Sequence, residues 1–348
     1  MYQRIYNIHN ILTVKFTSTK KLDLGKRLGW IYLGESNALN FDISMKLGDF
    51  TPTQEDCVSI AHRYYVCDNY FRAKERGKIG SWEVEILGFE RGNIEVNINV
   101  KGWKLKTRLF PGFVAHEFLL PLIERKLLEN DYLFLHAGGA AKGSGGALII
   151  GRSGSYKTTI IMDLIRRYGF TFLGDERVIV GPNRKCYSFP TIPFYFEYKL
   201  ENEETEDISS IKRLIITTKY ITKGSYSPSF NITPKSTFDK VILISRKKVS
   251  GSNIHYTELD LDTATEKIYL NNLAEYIGGV PTSPIFQFYK YILVYSIVYP
   301  ENRYIALQEK FKKLVREYLK DVPIYEVHIP QKYSPLITEA INKLITGE

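Results

Sequence analysis

The chain has 348 residues, 44% hydrophobic and 24% charged, which excludes a disordered or fibrous polymer and leaves enough apolar surface for one large domain or two. A net charge of +9, from 47 basic and 38 acidic side chains, suits contact with anionic small molecules. The basic runs Arg246-Lys247-Lys248 and Lys312-Lys313 are too short for a nucleic-acid stripe, so no nucleic-acid partner is expected.

Residues 1–110 read as a β-rich N-terminal region. Apolar and polar residues alternate over Asn10–Thr17, Trp82–Phe89 and Ile94–Val100, and Gly88, Gly92-Asn93 and Gly102 supply turns. The plain expectation is a twisted antiparallel sheet without chemistry of its own, with the aromatic stretch Asp56–Arg72 ambiguous. The N-terminus lacks the apolar core of a signal peptide. The cysteines, Cys57, Cys67 and Cys186, show no C-x-x-C spacing, so neither a zinc knuckle nor a dithiol pair is expected. Their sparse, odd count fits a reducing compartment, and the protein is expected to be cytoplasmic.

Phe113–Asn130 has helical spacing with a broad apolar face, with Pro121 as a candidate kink. A short strand, Tyr132–Leu135, leads into His136-Ala137-Gly138-Gly139. Lys142–Gly146 is a turn, and the apolar run Ala147–Ile150 then stops at Gly151. The loop Gly151-Arg152-Ser153-Gly154-Ser155-Tyr156 precedes Lys157-Thr158-Thr159, which opens a helix ending at the natural C-cap Gly169. Strand, small-residue loop, Lys-Thr and helix is the layout of a P-loop. Backbone N–H groups at the helix start and the helix dipole both favour an anion there. Lys157 adds charge beside a polyphosphate, and the Thr158 hydroxyl is a Mg²⁺ ligand. Tyr156 stands where the usual pattern has its second glycine.

Beyond the helix, strand Phe170–Leu173 runs into Gly174-Asp175-Glu176 and then strand Val178–Val180. Carboxylates at that position orient Mg²⁺ or take a proton from an acceptor hydroxyl. Phe189–Pro193 is proline-punctuated, Glu201–Asp207 is an acidic solvated run, and Ile211–Pro234 reads as a strand followed by a long loop at an active-site mouth. Lys240–Ser245 is a buried strand, and Leu270–Tyr276 and Phe286–Tyr299 are helical or mixed. Asn302–Leu319 is a helix, Pro323–Ile329 a strand and Pro335–Ile345 a terminal helix. The longest apolar stretch, Pro284 to Pro300, is interrupted by Gln287 and Lys290 and is too short to span a bilayer, so no membrane partner is expected.

His136 before a glycine turn, ALIIGRSGSYKTT, a helix ending in Gly169 and then FLGDE resemble the core of HPr kinase/phosphorylase-like proteins. The tail, KVILIS, a long helix, VPIYEVHIP and a terminal helix, is similar to that family too. The resemblance covers about residues 110–345. It implies an α/β (α+β) fold: a P-loop core of mixed β-sheet with flanking helices, related to phosphoenolpyruvate carboxykinase, over residues 111–348. It also implies a cradle for ATP phosphates over Gly151, Arg152, Ser153, Gly154, Ser155, Tyr156, Lys157, Thr158 and Thr159. Mg²⁺ would be held by Thr158, Asp175 and Glu176. Asp175 would be general base, with Glu176 and His136 assisting. Family members often form homo-oligomers. Tyr156 and Glu176 depart from the family pattern, and no G-x-M-G-x-R-E-L-like stretch follows the acidic pair. The implied acceptor is therefore a hydroxyl on a small molecule, peptide or protein other than HPr. The alternatives are a non-catalytic nucleotide sensor or scaffold and, more remotely, a decarboxylating carboxykinase.

Overall fold

The computed structural model describes residues 1–19, 34–35, 37–76, 80–101, 109–189, 198, 212, 215–216, 229–247, 254–277 and 284–348. In chain order it contains β1 (Tyr2–Ile8), β2 (Leu12–Ser18), β3 (Gly34–Glu35), β4 (Ile43–Leu47), β5 (Val58–Ile60), β6 (Tyr64–Cys67), β7 (Tyr70–Arg76), β8 (Ser81–Leu87), β9 (Ile94–Lys101) and α1 (Leu109–Glu129). Next come β10 (Leu133–Leu135), β11 (Ala137–Lys142), β12 (Gly145–Ile150), α2 (Lys157–Tyr168), β13 (Thr171–Gly174), β14 (Val178–Gly181), β15 (Lys185–Ser188), β16 (Lys235–Thr237), β17 (Lys240–Arg246) and β18 (His255–Glu258). The remainder is α3 (Leu261–Ile277), α4 (Pro284–Val298), α5 (Arg303–Leu319), β19 (Ile324–Ile329) and α6 (Pro335–Thr346). The protein is thus mixed α/β, and no described helix is long and apolar enough to cross a membrane.

Two compact units divide the chain. One takes the described residues up to Asn130 and returns for Tyr276–Lys310; the other takes Asp131–Glu275 and Phe311–Glu348. The sequence expectation draws a single boundary near residue 110. No local pattern announces that α1, α4 and the start of α5 cluster with the N-terminal strands.

The first unit is a nine-stranded sheet in the order β3-β1-β2-β4-β9-β8-β7-β6-β5. It is mixed, not antiparallel as expected, because β4 runs parallel to both β2 and β9. Alternation drives it: Ile43, Met45 and Leu47 of β4 are buried between half-exposed or exposed neighbours, as are Ile94, Val96 and Ile98 of β9. The ambiguous stretch Asp56–Arg72 becomes β5, β6 and the start of β7. A disulfide between Cys57 and Cys67 closes the β5–β6 hairpin, with the Cα atoms 5.0 Å apart. That corrects the reading of three sparse thiols; Cys186 alone is free, and burial pushes its thiol pKa up. The abundant aromatics have an architectural use here. Phe71 stacks on Phe89 and on Tyr291 of α4, with ring centroids 5.0 and 4.8 Å apart.

In the second unit, a six-stranded sheet runs β13-β11-β12-β17-β19-β18, beside a four-stranded sheet β10-β14-β15-β16. β12 is parallel to β17, and β17 to β19. One face is covered by α2 and α6, through Ile160, Ile161, Leu164, Ile337 and Ile341 packed with Ile149, Ile242, Ile244 and Val327. The Gly138-Gly139 pair belongs to strand β11, not to a loop after β10. A Cβ on Gly138 would lie 2.1 Å from Ile161 Cδ1, so the small residue lets α2 approach the sheet. The proline-punctuated and acidic runs, and most of Ile211–Pro234, lie outside the described residues.

Candidate active site

The loop at 151–156 joins strand β12 to helix α2, the strand-loop-helix order expected from the sequence. Gly151 is required sterically: a Cβ there would meet Ser155 Oγ at 2.7 Å and the Ile244 carbonyl oxygen at 2.8 Å. Gly154 and Tyr156 both take left-handed backbone, with φ of 80° and 64°. Tyr156 therefore adopts the conformation that glycine would supply, at a cost of about 1 kcal/mol. Its ring does not lie over the loop. Its hydroxyl donates to the Gln331 carbonyl at 2.7 Å, and the Arg246 guanidinium sits 4.8 Å above the ring centroid. Gly169 closes α2 with φ of 72°.

Helix α2 opens at Lys157, so the N–H groups of its first turn have no partner within the helix. The Ser155 hydroxyl is buried inside the loop and finds no hydrogen-bond partner among the described residues. An orphaned hydroxyl within such a turn suits an anion or a water. Arg152 and Ser153 are exposed and Thr159 is buried. Lys157 is buried too, its ammonium donating to the Gly151 carbonyl and lying 3.2 Å from His136 Nε2. Burial lowers the Lys157 pKa, and the charges of Asp175, Glu275 and Glu176 oppose that shift. A polyphosphate beside Lys157 would add to that counter-charge.

His136, between β10 and β11, is held through its backbone. Its N–H donates to Asn272 Oδ1 at 2.6 Å, and its carbonyl accepts from Asn271 Nδ2 at 3.3 Å. Its ring Nδ1 lies 2.6 Å from Arg177 Nη1. A guanidinium only donates, so Nδ1 accepts and the proton sits on Nε2. Nε2 then faces Lys157 and, at 3.5 Å, Glu275 Oε1. Burial first, then the charges on Arg177, Lys157 and Arg152, drive the His136 pKa far below its usual value, so the ring is neutral. Glu275 also reaches Arg152, Oε2 to Nε at 3.7 Å.

On the other side of the lysine, Thr158 Oγ1 donates to Asp175 Oδ2 at 2.9 Å. This bond joins the start of α2 to the acidic turn after β13. Glu176 is exposed, and its charge reaches Lys157. Among the described residues no group of three or more His, Cys, Asp or Glu gathers to hold a metal unaided. Mg²⁺ at phosphate sites is held by one or two protein oxygens with the rest from phosphate and water, so the Thr158–Asp175 pair fits it.

Lys157, Thr158, His136 and Asp175 thus gather at one end of the sheet. Arg177, Glu275, Asn271 and Asn272 join them without any sequence reading having named them. Arg177 follows directly on the acidic pair, which was a usable signal. Glu275 lies on α3, more than a hundred residues from the loop, where no spacing rule operates. In comparison with known proteins, no family model matches the chain and no curated protein shows significant similarity to it.

Proposed function

We propose that the protein is an ATP-dependent phosphotransferase with an HPr kinase-like core related to phosphoenolpyruvate carboxykinase, phosphorylating a hydroxyl of a small molecule, peptide or protein. The observation that carries this reading is the 2.9 Å bond from Thr158 Oγ1 to Asp175 Oδ2. It joins a helix-start anion cradle to a carboxylate, the pairing that phosphoryl transfer needs. Tyr156 supports the reading by turning its ring toward Gln331 and Arg246.

In this reading the loop amides and Lys157 bind the β- and γ-phosphates, and Lys157 stabilises charge on the transferring group. Thr158 and Asp175 would hold Mg²⁺, which when bound neutralises the phosphates, with Glu176 close by. Asp175 takes the acceptor's proton as its oxygen attacks phosphorus and the bond to the β-phosphate oxygen breaks. His136 keeps a neutral ring beside Lys157, fixed by Arg177, so its part is to position the lysine and not to carry a proton. The cytoplasmic location expected from the sequence is kept in this reading.

The Asp175→Asn variant tests the assignment. Calorimetry should show that it still binds nucleotide, while ATP consumption with a panel of hydroxyl acceptors is abolished. Retained transfer would remove Asp175 from the role of base. A wild-type protein that binds ATP but consumes none with any acceptor would instead be a nucleotide sensor.

A further inference from the structure

The six-stranded sheet sorts its chemistry to two sides of the P-loop strand. Because β11 is antiparallel to both β12 and β13, the end of β13 and the start of β11 lie at the same sheet end as the P-loop. There they carry Asp175, Glu176 and His136. On the opposite side, β17 and β19 run parallel to β12 and finish at that same end. They carry Arg246 and, just beyond β19, Gln331 and Tyr333. Ligands of open α/β sheets lie outside the carboxyl ends of such strands. Arg246 therefore stands at the sheet end that carries the loop, on the side of β12 away from Asp175.

Arg246 is exposed, yet it is fixed on three sides. Nη1 donates to the Gly154 carbonyl at 2.9 Å, Nη2 donates to the Gln331 carbonyl at 2.7 Å, and the Tyr156 ring lies beneath. Tyr333 packs against Tyr156 with centroids 5.6 Å apart, and its hydroxyl bonds to Asp163 and, at 2.7 Å, to Thr338 Oγ1. The result is a rigid guanidinium plane at the solvent surface, immediately beside the phosphate loop. A guanidinium held flat stacks on planar π-systems.

We infer that Arg246, backed by Tyr156 and Tyr333, is a stacking platform for the base of a purine nucleoside triphosphate. This rests on the phosphate-site reading above and deepens it, because it makes the donor a nucleotide and not a bare polyphosphate. It also gives Tyr156 a purpose: the side chain that displaces glycine from the loop supports the base side of the site.

Calorimetry on the full chain tests this with Mg-ATP and Mg-tripolyphosphate, in the wild type and in Arg246→Gln. The wild type should bind ATP about tenfold or more tighter than tripolyphosphate, the scale of one stacked base. Arg246→Gln should lose most of that preference while its tripolyphosphate affinity stays within about twofold. Equal loss for both ligands would show that Arg246 only braces the loop, and would overturn the platform. So would a wild type that binds the two ligands alike, a comparison that needs no variant to fold. A wild type that binds neither ligand removes the phosphate site itself, and the platform with it.

Discussion

Both units bury charged side chains, and they do so in opposite ways. In the N-terminal sheet, Glu85 is fully buried and its carboxyl accepts from Tyr70 Oη, the Thr53 backbone N–H, Thr53 Oγ1 and Asn97 Nδ2, all within 2.9 Å. Every partner is a neutral donor supplied by a neighbouring strand or loop, and the network is complete within the fold. In the second unit, Arg177 donates to Nδ1 of one neutral imidazole and Lys157 lies beside its Nε2, with Arg152 close by. Asp175, Glu275 and Glu176 supply the opposing charge, and Glu176 is exposed, so this charged set opens to solvent where the Glu85 network is closed. A satisfied buried carboxylate specifies a structure; a set of mixed charges around a desolvated lysine at the end of a sheet is the kind of arrangement that functional sites use.

Lys157→Met should separate the two behaviours most sharply. It removes the ammonium that a transferring phosphoryl group needs, and turnover should fall by about 10²-fold or more. The same change relieves a desolvated cation, so the thermal midpoint should stay level or rise. A folded variant with wild-type ATP consumption would break the contrast. Glu85→Ala does the reverse. It strands the buried Tyr70 hydroxyl and removes three part-buried hydrogen bonds, and should cost about 2 kcal/mol or more in denaturant unfolding, while the folded variant keeps its affinity for Mg-ATP. An undiminished midpoint would mean that the Glu85 network is not a structural fixture.

The third prediction concerns pH. The unfolded chain protonates His136 near its ordinary value of about 6.5, and the folded chain does not. Below that pH the unfolded state binds more protons, so stability rises with pH and is lost on acidification. The slope between pH 7 and 5 approaches about 1.4 kcal/mol per unit from this group. His136→Gln should flatten that part of the curve in urea titrations at several pH values. An unchanged slope would place the ring in a solvated setting.

What the sequence revealed follows from how local each feature is. The loop Gly151–Thr159, helix α2 with its Gly169 cap and the strand β17 were legible, because each rests on a short pattern whose physics is local. The acidic turn at Asp175 was legible from its distance after that helix. The parallel pairing of β4 was not, since alternation reveals a half-buried strand but not its direction. Ile43, Met45 and Leu47 did carry the alternation, so β4 itself could have been read. Arg246 reaches the loop through the sheet order, which sets β17 beside β12, and Glu275 reaches it from helix α3; neither relation is local in sequence. The Cys57–Cys67 bond shows the same limit: the count suggested thiols, and the cross-strand geometry pairs them.

Tyr156→Gly should have the smallest effect, because its contributions oppose one another. Glycine relieves about 1 kcal/mol of left-handed strain at φ 64°. Against that stands the greater freedom of glycine in the unfolded chain, about 0.5–1 kcal/mol. The bond to Gln331 and the contact with Arg246 are lost as well, and each is worth about 0.5–1 kcal/mol near the surface. The balance is a loss of about 1 kcal/mol, measured by thermal or urea unfolding. Tripolyphosphate affinity should hold, because glycine keeps the loop's backbone shape. A variant that gains stability would show that the ring contributes nothing to the fold; a tyrosine kept there despite its strain would then be explained by its ligand alone.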